Sequence, residues 1–151
     1  RVLFRSEPNS DEIIASNTIS SEFGSIGVMM SFPDYAKYYE KDGIKVHTIY
    51  SNLSSYKNAP FEAAKEGKYD AIKTEELDPL ARGFQEAVKS RRGSKLNLEM
   101  EGIIAGRMFY ANDAKKNGLI DLVGTREFAL GRVRELRRDA YVNEYINSKS
   151  A

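Results

Sequence analysis

Few residues of this chain are equipped for covalent or acid–base chemistry. No cysteine is present, which removes thiol nucleophiles, disulfides and thiolate metal ligands. The one histidine is His47, so a Ser–His–Asp triad would rest on it alone. It sits in a β-branched run, on a face with Lys45, and reads as a surface or interface side chain. No paired histidines, His-Glu-x-x-His or calcium-loop pattern occurs, so neither a metal site nor a cofactor is expected. Gly24-Ser25-Ile26-Gly27 lacks the third glycine of a dinucleotide fingerprint and the lysine–serine pair of a P-loop. Ser54-Ser55-Tyr56-Lys57 has the S-x-x-K spacing of penicillin-binding proteins, but that chemistry needs its serine at a helix start. Asn58 and Pro60 argue against a helix there, and no S-D-N or K-T-G companion follows. Asp113 and Asp121, near a G-L-I-D turn, read as caps and acceptors for backbone N–H groups. On residue types alone, Lys57 is a surface lysine in a polar loop.

The stretch that would position these groups runs from Phe23 to Asn58. Gly24 to Met30 is a short apolar run punctuated by glycine, the pattern of a buried strand. Ser31 offers a hydroxyl cap, Asp34 follows three residues on, and Pro33 fits a first helical turn. Tyr35, Tyr38 and Tyr39 recur at helical spacing, and Asp42-Gly43 closes the helix. Ile44 to Tyr50 is β-branched and alternating, which predicts a second strand. Strand, helix and strand over about thirty residues make a βαβ unit, hence a right-handed crossover and a parallel sheet.

Downstream, residues 51–70 are polar and weakly periodic, a length of loop that is often functional. Thr74-Glu75-Glu76 opens the longest helix, with Leu77, Leu80, Ala81, Phe84, Val88 and Arg91 on one stripe and a stop at Gly93. Pro79 falls near its first turns. Asn112 to Asn117 is a short helix ended by Gly118, and Leu119 to Val123 is a strand. Thr125 caps a terminal helix whose apolar face holds Ala129, Val133, Leu136 and Ala140. The polar tail, residues 147–151, is expected to fray.

With 151 residues the chain makes one modest domain. Its 23 basic and 22 acidic side chains nearly cancel and are interspersed, so no nucleic-acid stripe is indicated. Arg132, Arg134, Arg137 and Arg138 alternate with Glu135 and Asp139, the pattern of a solvated helix face. No apolar run approaches the ~20 residues of a membrane span. Residues 1–6, Arg-Val-Leu-Phe-Arg-Ser, read like a translated sequencing adapter and are left out of fold reasoning, a genuine short strand being the alternative.

Several fragments together resemble one family. Gly24-Ser25-Ile26-Gly27-Val28, a helix ending in Asp42-Gly43-Ile44-Lys45-Val46, and a strand leading to a loop lysine resemble the signal peptide peptidase A family. That family is peptidase family S49, protease IV-like, and includes phage head-maturation proteases of ClpP/crotonase-type fold. The likeness continues through Asp11 to Ser16, Phe84 to Gly93, Gly106-Arg107-Met108-Phe109 and Gly118 to Gly124. It covers roughly residues 11 to 130.

The resemblance implies an α/β fold of ClpP/crotonase-like βαβ units, with a mostly parallel sheet packed against helices. Residues 7–146 would be the C-terminal part of a single peptidase domain. It implies a serine endopeptidase with a Ser–Lys dyad, Lys57 as general base and Ser25 orienting its amine. The loop here is longer than in family members, which leaves Lys65 and Lys68 as outside alternatives. A lysine takes a proton from serine only when neutral, so its reference pKa of ~10.4 must fall by several units. Tyr56 and Phe61 could supply part of a dry environment. No nucleophile in this chain matches the family's helix-start serine, which would lie upstream of Asp11, so the chain is expected to be a fragment that is inactive alone. The implied partners are a peptide or protein substrate and further copies of the chain, with no nucleic acid and no membrane segment. The setting would be a phage or prophage, and so cytoplasmic, or a membrane reached through a missing segment. The Tyr56-Lys57-Asn58-x-x-Phe61 loop resembles phage-type members. The rival readings are a non-catalytic crotonase-fold assembly or scaffold-binding module, in which the terminal helix makes the subunit contact, and a CoA-binding crotonase.

Overall fold

A computed structural model describes residues 11–150; the expected adapter-like leader lies outside them. The order of elements is β1 (Ile14–Ala15), β2 (Glu22–Gly24), α1 (Ala36–Lys41), α2 (Ala59–Lys65), α3 (Asp78–Arg92), β3 (Met108–Tyr110), α4 (Ala111–Lys116), β4 (Leu122–Val123) and α5 (Arg126–Ser150). Helix and short strand mix, so the chain is α/β. The described residues group into two compact units, residues 11–26 with 87–150, and residues 27–86.

The first unit holds both ladders. β1 pairs parallel with β4, Ile14 opposite Leu122 and Ala15 opposite Val123. β2 pairs antiparallel with β3, Phe23 opposite Phe109. Ile13, Ala15, Phe23, Val88, Ile103, Phe109, Leu119 and Ile120 are buried here, a contiguous apolar set that removes most of their side-chain surface from water. Thr125 caps α5 as its sequence suggests, its Oγ1 accepting from Phe128 N at 3.2 Å. α5 runs on through residues 147–150. α4 ends in paired backbone bonds, Gly118 N to Lys115 O and Leu119 N to Ala114 O, which satisfy its last carbonyls.

The second unit departs from the βαβ expectation. The only strand in the Phe23–Met30 region is β2, which begins at Glu22 and stops at Gly24. Val28, Met29 and Met30 are exposed, and residues 44–50 form no strand. Ile49 is 90% exposed and Val46 66%. β-branched side chains favour a strand only through packing and ladder partners, and residues 27–86 contain no other strand to supply them. Helix α1 forms but starts only at Ala36, whose N–H donates to Asp34 Oδ1 at 2.9 Å, and Ser31 does not cap it. Pro33 biases Phe32 away from helical geometry, which delays the start. A wide π-helical turn, Ile72–Leu77, precedes α3, where Pro79 has no N–H to continue the ladder upstream. On the expected α3 stripe Val88 is buried, Leu80 lies exposed, and Arg92 is buried in place of Arg91. Among the described residues no helix is long and apolar enough to cross a membrane.

Gly118 has φ +78°, and a Cβ there would stand 1.8 Å from Lys95 O. Gly131, inside α5, has open space at the same position. Gly118→Ala should therefore cost about 2 kcal/mol or more, while Gly131→Ala should gain roughly 0.5–1 kcal/mol. Urea midpoints measured at constant m-value check both. Equal shifts of the same sign would contradict the assigned backbone geometry.

Candidate active site

Lys57 lies in the second unit, in a run of turns between Tyr50 and α2. Its N–H donates to Ser54 O at 3.1 Å, and Ala59 N donates to Tyr56 O at 3.1 Å. Ser54 to Lys57 are thus turns, so the S-x-x-K spacing does not place its serine and lysine one helical turn apart. Pro60 begins α2 instead of opposing it, because the second position of a helix needs no N–H donor.

The three loop lysines have different surroundings. Lys65 Nζ sits 3.1 Å from Glu62 Oε1, and Lys68 Nζ 2.7 Å from Glu66 Oε2. The hydrogen bond from Lys68 to Glu66 raises the pKa of Lys68 and so favours its charged form. Lys57 is exposed, and no carboxylate or other acceptor pairs with its amine among the described residues. Of the expected drying neighbours, Tyr56 is 88% exposed and contributes nothing. Phe61 is half-buried against Phe32, ring centroids 4.7 Å apart.

Glu62, which the sequence reading does not single out, closes the turns around Lys57. Its Oε1 accepts from Tyr50 OH at 3.0 Å and from Asn58 Nδ2 at 3.0 Å. The pKa of Glu62 is lowered by the bond from Lys65 and then that from Tyr50.

Ser25 lies in the first unit. It has φ +54° and is exposed, and its N–H donates to Arg107 O at 3.0 Å. Gly24 before it has φ +130°, and a Cβ there would fall 2.1 Å from the same carbonyl. Two residues beyond the usual φ range hold the Ser25 hydroxyl at the end of the β2–β3 ladder. His47 is exposed in the unpaired 44–50 segment.

The Asp121 carboxylate accepts four hydrogen bonds. Arg92 Nη1 and Nη2 reach its two oxygens at 2.8 and 3.0 Å, Lys95 Nζ at 2.8 Å and Ile13 N at 2.9 Å. Arg92 Nε also donates to Gly118 O at 2.7 Å. The side chains are 6% and 13% exposed for Arg92 and Asp121. Burial pushes the Asp121 carboxyl up, but the bonds from Arg92, Lys95 and the Ile13 N–H outweigh it and hold the group well below the usual range. Asp121 is thus a backbone acceptor, as its sequence position suggests, and also an ion-pair centre. It lines a cleft with Asp11, Glu12, Arg132 and Glu135. Arg132 bonds Glu12 and lowers its pKa, so neither Glu12 nor Asp121 in that cleft is kept protonated for acid catalysis. The fourfold spacing of Val88 and Arg92 is the sequence signal for this arginine.

This chain belongs to peptidase family S49, whose family model matches residues 9–139. It is 31% identical to a provisionally named signal peptide peptidase, SppA, of Enterococcus faecium, over 91% of this chain and 40% of that one. It is also 31% identical to a provisionally named protease of Methanocaldococcus jannaschii, over 84% of this chain and 40% of the relative. Protease 4 of Haemophilus influenzae is 28% identical over 90% of this chain and 22% of its own length. The chain therefore spans two fifths or less of the curated relatives it matches.

An Asp121→Asn variant should lose about 3 kcal/mol, because Arg92 would be left buried without its anion. The sign of the pH dependence follows from the depressed carboxyl. Its contribution is full above the unfolded Asp range, ~4, and is lost as pH falls below that range towards the folded value. Unfolding free energies measured from pH 7 downward should show a shallower acid limb in Asp121→Asn than in the parent. Identical slopes would refute the role given to this carboxylate.

Proposed function

We propose that the chain is part of a serine endopeptidase in which Lys57 is the general base and Ser25 orients its amine. The observation that carries this is the contrast among the loop lysines: Lys65 and Lys68 are tied to glutamates, while Lys57 is left unpaired at the position the family resemblance assigns. A carboxylate partner would favour the ammonium form, which cannot accept a proton. The neutral amine takes the proton of a serine hydroxyl as the oxygen attacks the substrate carbonyl. The resulting ammonium then donates to the leaving amine, and water, deprotonated by the same lysine, releases the acyl group.

In this reading the nucleophilic serine is assigned to none of the described residues, and a bound peptide would have to dry the amine, since exposed Tyr56 does not shield it. The Ser25 hydroxyl offers the amine an acceptor. Peptides are the substrate class, with signal peptides first because one relative carries that name. Capsid or scaffold proteins come second, on the likeness of the Tyr56-Lys57-Asn58 loop to phage-type members. Self-association would use α5, whose Tyr141, Val142, Tyr145 and Ile146 are exposed.

In the full-length protein, Lys57→Ala should lower hydrolysis of a fluorogenic peptide at least roughly a thousandfold, with an unchanged circular-dichroism spectrum and melting temperature. Turnover retained in that variant would remove Lys57 from the reaction.

A further inference from the structure

We infer that Glu62, through Asn58 and Tyr50, is the positioning residue that sets the direction of Lys57. This rests on the reading of Lys57 as the base. The Lys57 amine has no partner among the described residues, so no contact of its own fixes its aim. Its Cα–Cβ direction is then inherited from the backbone of the turn. That backbone is determined immediately after Lys57 by Asn58, which has φ 64° and ψ 14°. Left-handed geometry is uncommon for any side chain but glycine, and asparagine is among the residues that tolerate it.

Side-chain bonds hold Asn58 there. Its Nδ2 donates to Glu62 Oε1 at 3.0 Å and to Tyr50 OH at 3.4 Å, and Tyr50 OH donates to the same Oε1 at 3.0 Å. One carboxylate oxygen thus joins the residue that begins the turns to the residue that follows Lys57. The backbone bond from Glu62 N to Asn58 O, 3.0 Å, ties α2 into the same knot. Between these anchors, Leu53 N bonds Ser51 Oγ, Ser54 N bonds Ser51 O and Lys57 N bonds Ser54 O. The path from Tyr50 to Asn58 is therefore closed at both ends, and Lys57 is the last residue before the closure. A base displaced by about 1 Å can lose on the order of a hundredfold in rate, so a clasp of weak bonds can matter to turnover more than to folding.

The test uses the full-length protein and a fluorogenic peptide. Glu62→Ala should lower kcat roughly 10- to 100-fold with KM unchanged within about twofold. Glu62→Gln keeps a carbonyl acceptor for Tyr50 and Asn58, and should recover kcat to within a few-fold of the parent. Asn58→Gly keeps the left-handed backbone but loses the amide donor, and should fall between them. Glu62→Ala turning over like the parent would overturn the proposal, as would Glu62→Gln being as slow as Glu62→Ala. Amide hydrogen exchange over residues 51–58 gives a readout independent of catalysis. Faster exchange in Glu62→Ala but not in Glu62→Gln supports the clasp, and unchanged exchange in Glu62→Ala overturns it. If Lys57→Ala still hydrolyses peptide, the base assignment fails, and the clasp is judged on exchange alone.

Discussion

The first unit depends on one carboxylate. Asp121 receives the guanidinium of Arg92, the amine of Lys95 and the N–H of Ile13. It thereby joins the end of α3, the turn after it, and the strand that pairs with its own successor. The β1–β4 ladder is only two residues long on each side, too short to hold its register by backbone bonds alone. The bond from Ile13 N to Asp121 Oδ2, beside the return bond from Asp121 N to Ile13 O, both 2.9 Å, fixes which residues face each other. Arg92 adds Gly118 O to the same knot, so the tight end of α4 is registered against the end of α3. Replacing a buried ion pair with apolar residues is often neutral, but removing one partner is costly. Asp121 accordingly specifies an arrangement more than it adds net stability.

The second unit is built differently. Its buried apolar residues are Ala64 and Ile72, supplemented by the half-buried Phe32–Phe61 ring pair. Large side chains such as Leu53, 97% exposed, lie on its surface. With so little burial, its order comes from local devices. Asp34 Oδ1 accepts from the first N–H of α1, and Gly43 N to Glu40 O with Ile44 N to Tyr39 O closes the helix. The Glu62 bonds close the loop before α2. Each device acts over a few residues, and each is exposed enough to be worth little alone.

What could be read in advance follows the same division. The Thr125 cap, the close of α1 at Asp42-Gly43 and the end of α4 at Gly118 depend on residues close in sequence, and these were legible. The strands drawn at 24–30 and 44–50 were not, because a strand needs a partner and propensity cannot say whether one is present. Ser31 is the cap expected for α1, but Pro33 biases Phe32 away from helical geometry and the helix starts only at Ala36. Pro60 opposes only a helix that precedes it. Arg91 and Arg92 both fit helical spacing from Val88, and only the carboxylate of Asp121, distant in sequence, decides that Arg92 is the buried one. Lys57 is proposed as the base on the family resemblance. Nothing in the residues of its loop distinguishes it from Lys65 or Lys68 until their glutamate partners are seen.

Those partners carry a further consequence for the chemistry. A lysine base needs acceptors near it that do not bring full negative charge to bear on the amine, since an adjacent carboxylate stabilises the ammonium. Glu62 is the nearest acidic residue in sequence to Lys57 and would be a hazard on that ground. Its Oε1 is taken by Tyr50, Asn58 and Lys65, and its Oε2 by Lys65 at 3.2 Å. The Lys65 ammonium neutralises the charge where it arises. A hydroxyl such as that of Ser25 avoids the difficulty altogether, because it can accept from a neutral amine without bringing a formal charge. The loop carboxylate nearest in sequence to Lys57 is thus occupied by Tyr50, Asn58 and Lys65 and does not hold the Lys57 amine in its charged form.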